Sequence, residues 1–192
     1  MTAKQIPPDP NTAILATYAI NDAMNQLLLV HLDPRAWRAT PPATTKGSKK
    51  NGRTIGAIFA HMHNVRLKWL RGTAPHLKCP AALDPYRCTQ KQAAAAHKKS
   101  ADQCLRMLTD ASSNDPNRRV TNFVRDSWMP TWPASPNTVA YMFAYMFAHE
   151  AHHRGQITML AHQLGYRLPA AAWGGLWQWD KLWKQSGLPR PR

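Results

Sequence analysis

His149-Glu150-Ala151-His152-His153 places imidazoles four residues apart, at 149 and 153. On an α-helix that spacing stacks two side chains on one face, within reach of a single cation. The surrounding apolar stripe runs Val139, Met142, Met146, His149, His153, Ile157, Leu160, Leu164, stepping by three and four throughout, so both rings are predicted to face inward. A third neutral imidazole from a neighbouring helix would complete a three-ligand set and leave coordination positions for water or substrate, as in a catalytic metal site. His61 is the best candidate, because it lies on or beside the stripe Ile55, Ile58, Met62, Val65, Trp69 of its own segment. His63 falls well around that helix, and His152 breaks the later stripe and is expected beside the site or facing solvent. His31, His76, His97 and His162 read as surface or helix-end histidines. The plainer alternative is a pair of hydrogen-bonded polar residues without metal, in which case two imidazoles on an apolar stripe need other partners.

The same five residues match His-Glu-x-x-His, the zinc peptidase signature whose glutamate is the general base. The match stops there. No glutamate follows Glu150 to serve as third ligand, and Asp180 is the only later acid. In the extended form of the motif Gln156 stands where glycine is required and Met159 where the third histidine belongs. Glu150 is instead expected to stabilise a neighbouring basic side chain or the next protomer, or to serve near the site without being the base. Gln156, three residues beyond His153, is placed to donate to a ligand or substrate, whereas Arg154 is expected to point away as a surface or interface group. Tyr145, one turn before His149, either lines the pocket or packs in the core, and Trp128 and Trp132 are lid candidates.

Helices must position these groups, and their boundary signals are readable. Asp9-Pro10 supplies an N-cap and a first-turn proline for a helix through Ile14, Tyr18, Met24 and Leu28 that ends near Asp33-Pro34. A short helical turn beginning at Trp37 and a polar loop to Gly52 follow. The second helix is predicted from 53 or 54 to 70, with Gly72 as its stop, and the third over roughly 89–109. A long connection over 110–136, with a turn or more of helix at 120–125, leads to a fourth helix opened by Ser135-Pro136 and closed before Gly165. A terminal helix at about 172–183 carries Trp173, Trp177, Trp179 and Trp183, placed to cap the bundle or shape a protomer interface. The expectation is an all-α protein of one domain over 1–192, with a bundle core over about 9–165 and a Trp-rich segment over about 170–186. No internal repeat, phosphate loop, dinucleotide fingerprint or serine elbow is present.

A chain of 192 residues, 44% of them hydrophobic, can bury one core. No apolar run approaches the roughly eighteen residues of a membrane span, and the N-terminus lacks the apolar core of a signal peptide. Cys79, Cys88 and Cys104 form neither a close metal knuckle nor a Cys-x-x-Cys pair, which points to partly buried thiols in a reducing cytoplasm. Basic neighbours of Cys79 and Cys88 leave room for a lowered thiol pKa. The net charge of +15 raises nucleic acid as a rival partner. Its scatter, however, over Lys46, Lys49, Lys50 and Arg53, then Lys91, Lys98 and Lys99, then Arg118 and Arg119, and finally Arg190 and Arg192, reads as solvated surface.

Two blocks carry a family resemblance. Thr54-Ile55-Gly56-Ala57-Ile58-Phe59-Ala60-His61 with Trp69-Leu70, and His149-Glu150-Ala151-His152-His153-Arg154-Gly155-Gln156-Ile157 with Leu164-Gly165, resemble the signature blocks of the DinB/YfiT-like superfamily. The tail Gly175-Leu176-Trp177-Gln178-Trp179-Asp180-Lys181-Leu182-Trp183 is similar to that of one DinB subgroup. The resemblance implies an up-down-down-up four-helix bundle with an additional C-terminal helix, often a homodimer, with a divalent metal held by three histidines. By motif position the implied ligands are His61, His149 and His153, the trio that periodicity selects. Zinc, nickel, iron and manganese all suit such a set. The implied chemistry is metal-dependent transfer to or from a low-molecular-weight thiol, or hydrolysis of a small molecule. A non-enzymatic metal-stabilised dimer, as sensor or scaffold, and a nucleic-acid-binding protein are the alternatives.

Overall fold

The computed structural model describes residues 9–40, 52–113 and 139–188. Six α-helices occur there: α1 (Pro10–His31), α2 (Ile55–Thr73), α3 (Gln90–Ser112), α4 (Val139–Gln163), α5 (Ala170–Gly175) and α6 (Trp179–Ser186). The fold is all-α, as the sequence implies. The predicted lid tryptophans Trp128 and Trp132, the turn at 120–125, the Ser135-Pro136 helix opening and the basic residues at 46–50, 118–119, 190 and 192 lie outside the described residues.

Local chemistry accounts for the helix starts. Asp9 accepts from the backbone N–H groups of Asn11 and Thr12, and Pro10 occupies a position where no N–H is needed. Thr54 caps α2 through Ala57 N, and Thr89 and Gln92 form a reciprocal capping box on α3. Some boundaries differ from expectation. The helical turn predicted after Trp37 is a 3₁₀ turn at Pro34–Ala36, which the Asp33-Pro34 cap starts earlier. Gly72 does not stop α2, which continues to Thr73. Gly165, at φ 81°, does end α4 in the left-handed conformation that glycine adopts at least cost.

Paired contacts give the topology. Tyr18 shares a cluster with Met142 and Met146, and Leu28 one with Ile157, so α1 and α4 run parallel. His97 reaches Phe59 and Cys104 packs near Leu67 and Leu70, so α2 and α3 are parallel too. Gln90 bonds the carbonyls of Leu29 and Leu32 whereas Tyr18 clusters with Cys104, which makes α1 and α3 antiparallel. Up-down-down-up is the result. No helix among the described residues is long and apolar enough to cross a membrane.

The core is divided into layers. One apolar cluster holds Leu28, Ile58, Phe59, Met62, Ala93 and Ile157; the other holds Tyr18, Leu67, Leu70, Met107, Met142 and Met146. Between them every bundle helix contributes buried polar residues: Asn21 and Asn25 from α1, His63 and Arg66 from α2, His97 and Ser100 from α3, Glu150, His153 and Arg154 from α4. The predicted single terminal helix is two, α5 and α6, joined through Leu176, Trp177 and Gln178. Leu182 and Trp183 pack against Ile20 and Met24 of α1, and Ala172 and Leu176 join the core, while Trp173, Trp177 and Trp179 are exposed, so the tail is not anchored by all four tryptophans.

Candidate metal centre

His61 on α2 and His149 and His153 on α4 converge where the polar layer reaches the edge of the bundle. One ring nitrogen from each lies within 4.8 Å of the others. The ring centroids are 5.4 Å apart for His61 and His149, 4.8 Å for His61 and His153, and 4.5 Å for His149 and His153. His149 Nε2 and His153 Nε2 are 3.2 Å apart. Two nitrogens bound at about 2.0–2.1 Å to one ion, at octahedral or tetrahedral angles, are separated by about 2.8–3.4 Å, so this spacing fits a shared cation.

Hydrogen bonding fixes which nitrogens face inward. Gln156 Nε2 donates to His152 Nε2 at 2.9 Å, which turns Gln156 Oε1 toward His153 Nδ1 at 2.8 Å. The carbonyl therefore accepts from Nδ1–H and leaves the His153 Nε2 lone pair for the cluster. The expected partnership of Gln156 with a candidate ligand exists, but the glutamine accepts where donation was predicted. His149 Nδ1 is buried without a hydrogen-bond partner among the described residues, and the Trp69 ring meets its imidazole edge-on at 5.4 Å. Tyr145 stacks along His149 at 6.5 Å and also joins the adjoining apolar cluster, so it serves both wall and core.

Burial, then repulsion from the neighbouring imidazoles, lowers the pKa of His61 and of His149 from 6.5 to about 4. Burial lowers His153 as well, against the opposing effect of the hydrogen bond that it donates to Gln156. All three rings are thus neutral at pH 7, the form in which imidazole ligates.

Glu150 is turned into the bundle interior. Arg66 Nε donates to its Oε1 at 2.7 Å, and Arg66 Nη2, Asn21 Nδ2 and Asn25 Nδ2 donate to its Oε2 at 2.8, 2.7 and 2.6 Å. Burial pushes its carboxyl up, but Arg66, and behind it Arg154, hold it down at about 2. Fully buried and paired with Arg66 in the bundle interior, it is out of reach of a substrate, so the peptidase role suggested by His-Glu-x-x-His fails on geometry. The expectation that it stabilises a basic side chain is met by Arg66.

A model of the DinB family matches residues 19–182. The chain belongs to the DinB family. No curated protein and no solved structure gives a match. In this DinB chain the three histidines that carry the resemblance are brought together, and exposed His152 is outside the group.

Other expectations need correction. Arg154, predicted to point outward, is 7% exposed and donates to Asn21 Oδ1 at 2.6 Å and Asn25 Oδ1 at 3.1 Å. His97 is no surface histidine: it is fully buried and bonds Phe59 O through Nε2 at 2.9 Å. His63, although around the helix from the stripe, is also buried, between Ser100 Oγ at 3.1 Å and Ala81 O at 2.9 Å. Cys88 is buried and its thiol pKa is raised by that burial despite Arg38, which is the opposite of an activated thiol. Arg66, Asn21 and Asn25 were not singled out from sequence. The available signal was Arg66 at helical spacing from Met62, Trp69 and Leu70, a cation on a buried face in a chain with a single glutamate.

Proposed function

We propose that this chain is a divalent-metal-dependent enzyme acting on small molecules, with His61, His149 and His153 as the ligands. The observation that supports it is the convergence of three nitrogen donors within 4.8 Å, from rings that burial keeps neutral, beside a cleft that reaches His61. When bound, the ion supplies a Lewis acid that lowers the pKa of a thiol or water. His153 is oriented by Gln156, Trp69 and Tyr145 keep solvent from one side of His149, and Glu150 is unavailable as a base.

Among the described residues no carboxylate joins the three histidines as a base, which favours thiol transfer over hydrolysis. A free thiol ionises at about 8.5 and needs little help at neutral pH, whereas water at about 15.7 needs far more. In the transfer, a sulfur–carbon bond forms as the leaving group departs with its electron pair, and the thiol proton goes to solvent. The same reading takes the chain as one domain over 1–192 and as a cytoplasmic homodimer, which sedimentation equilibrium tests.

The test of function is metal analysis of the wild type, His61→Ala, His149→Ala, His153→Ala and His152→Ala, with thiol turnover on an electrophilic aryl halide. Loss of stoichiometric metal and of turnover in the first three variants, with both kept in His152→Ala, is the expected result. Equal metal in all four variants rejects the ligand assignment. An ion that governs melting while no thiol reaction occurs favours a metal-stabilised scaffold.

A further inference from the structure

The cleft of about 480 Å³ that reaches His61 has a defined chemistry of its own. One side is the start of α2, with Arg53 just ahead of the Thr54 cap and Ala57 one turn before His61. The other side is formed by Pro85 and Tyr86. That wall is fastened before any ligand arrives. Asn64 donates to Leu83 O and accepts from Leu83 N, both at 2.9 Å, so its amide is occupied by the loop. Arg38 donates to Pro85 O at 2.8 Å and to Cys88 O, and Trp37 Nε1 donates to Cys88 O at 2.9 Å. Such preorganisation reduces the ordering cost of binding.

Among the described lining residues Arg53 is the one with a formal charge, and none of them is acidic. Its field is felt at both His61 and His153, and that of Lys68 at His61. The sole glutamate of the chain is turned the other way, onto Arg66. The N-terminal end of α2, a helix of 19 residues, adds its positive dipole on the same side.

We propose that this cleft binds a small organic carboxylate, its anionic group held by the Arg53 guanidinium, its body against Ala57 and Tyr86, and its other end directed toward His61. The planar fork of a guanidinium suits a carboxylate. The proposal rests on the metal reading above only for what happens at the His61 end; the anion selectivity belongs to Arg53.

The experiment is calorimetric titration of the metal-loaded protein with 3-mercaptopropionate and with its neutral amide, on wild type, Arg53→Gln and Arg53→Lys. A parallel arm uses 3-phenylpropionate and its amide, which need no ion, and metal content is measured on every sample. Wild type is expected to prefer each acid over its amide by about fivefold, the size of a partly solvated ion pair. Arg53→Gln should bring acid and amide within about twofold of one another without changing amide affinity, and Arg53→Lys should keep part of the preference. Equal binding of acid and amide to wild type, a preference that survives Arg53→Gln, or no binding of any probe overturns the proposal. A protein without metal that still prefers phenylpropionate through Arg53 would retain this inference while the metal reading falls, so the two fail separately.

Discussion

Glu150→Gln is the most demanding test of the buried layer. The wild-type carboxylate accepts four hydrogen bonds, one at Oε1 and three at Oε2. A glutamine of the same shape can keep its carbonyl at the three-donor position only by turning its amide NH2 onto Arg66 Nε–H, donor against donor. It also removes the full negative charge that faces Arg66, 0% exposed, and Arg154, 7% exposed. Asp22, at 3.0 Å from Arg66 Nη1, is the remaining acid on Arg66, and its side chain is 17% exposed. Breaking a buried pair from one side costs about 3–5 kcal/mol, because the surviving charge is left uncompensated. At about 2–4 °C per kcal/mol for a chain of this size, the melting temperature should fall by about 6–20 °C. The assay is urea and thermal unfolding in a chelator, so that metal binding does not shift the midpoint. Pairing Glu150→Gln with Arg66→Met should give a coupling of about 2 kcal/mol, since each single variant strands the other partner. A Glu150→Gln midpoint within about 1 kcal/mol of wild type, at unchanged m-value, would refute the reasoning.

Three further outcomes follow from named contacts. Burial lowers His97 from 6.5 to about 3 and His61 and His149 to about 4, so the unfolded chain binds more protons between those values; metal-free stability should be full above pH 6.5 and fall toward pH 4, and a flat urea midpoint over that range would contradict it. Gln156→Ala removes the acceptor that orients His153 and should weaken metal affinity about 10–100-fold in competition titrations, with little effect on folding because the residue is exposed. Gly56→Ala places a Cβ 2.8 Å from Trp37 Cε2 and Nε1, a ring held by its bond to Cys88 O and by stacking on Phe59, and should cost about 1–3 kcal/mol in chemical denaturation.

The sequence made the helices legible because their signals are local. Asp9-Pro10, Thr54 and the Thr89–Gln92 box each act within one turn, and each sets a helix start. The His pair was legible for the same reason, since i, i+4 on a helix is a local geometry, and His61 followed from its own stripe. The polar layer was not legible. Apolar periodicity finds positions where hydrophobic residues recur, and it passes over Asn21, Asn25, Arg66 and Arg154, whose burial depends on partners from other helices. On α4 the buried face is centred nearer Glu150, Arg154 and Ala161 than the apolar stripe through His149, Leu160 and Leu164 indicated. Long-range satisfaction of charge thus adds Glu150 and Arg154 to a buried face whose Val139, Met142, Met146, His153 and Ile157 the hydrophobic pattern does indicate. His97 and His63 were misplaced for the same reason: their acceptors, Phe59 O and Ala81 O, are remote in sequence.

The placement of the triad at the margin of that layer has an electrostatic logic. Inside, Glu150 is paired with Arg66 and lies in the field of Arg154, which bonds Asn21 and Asn25, and Asp22 is paired with Arg66 as well, so the two acids described in the layer are matched by its two arginines. The three histidines are neutral, and they bring no negative charge. A divalent ion held by them would therefore keep its full charge, in a region where Arg53 and Lys68 already add positive potential at His61. Among the described residues no carboxylate joins the triad, and the cleft beside Arg53 is the described opening that contains His61. An anionic ligand in that cleft would compensate the ion and the arginine together, which a neutral one would not.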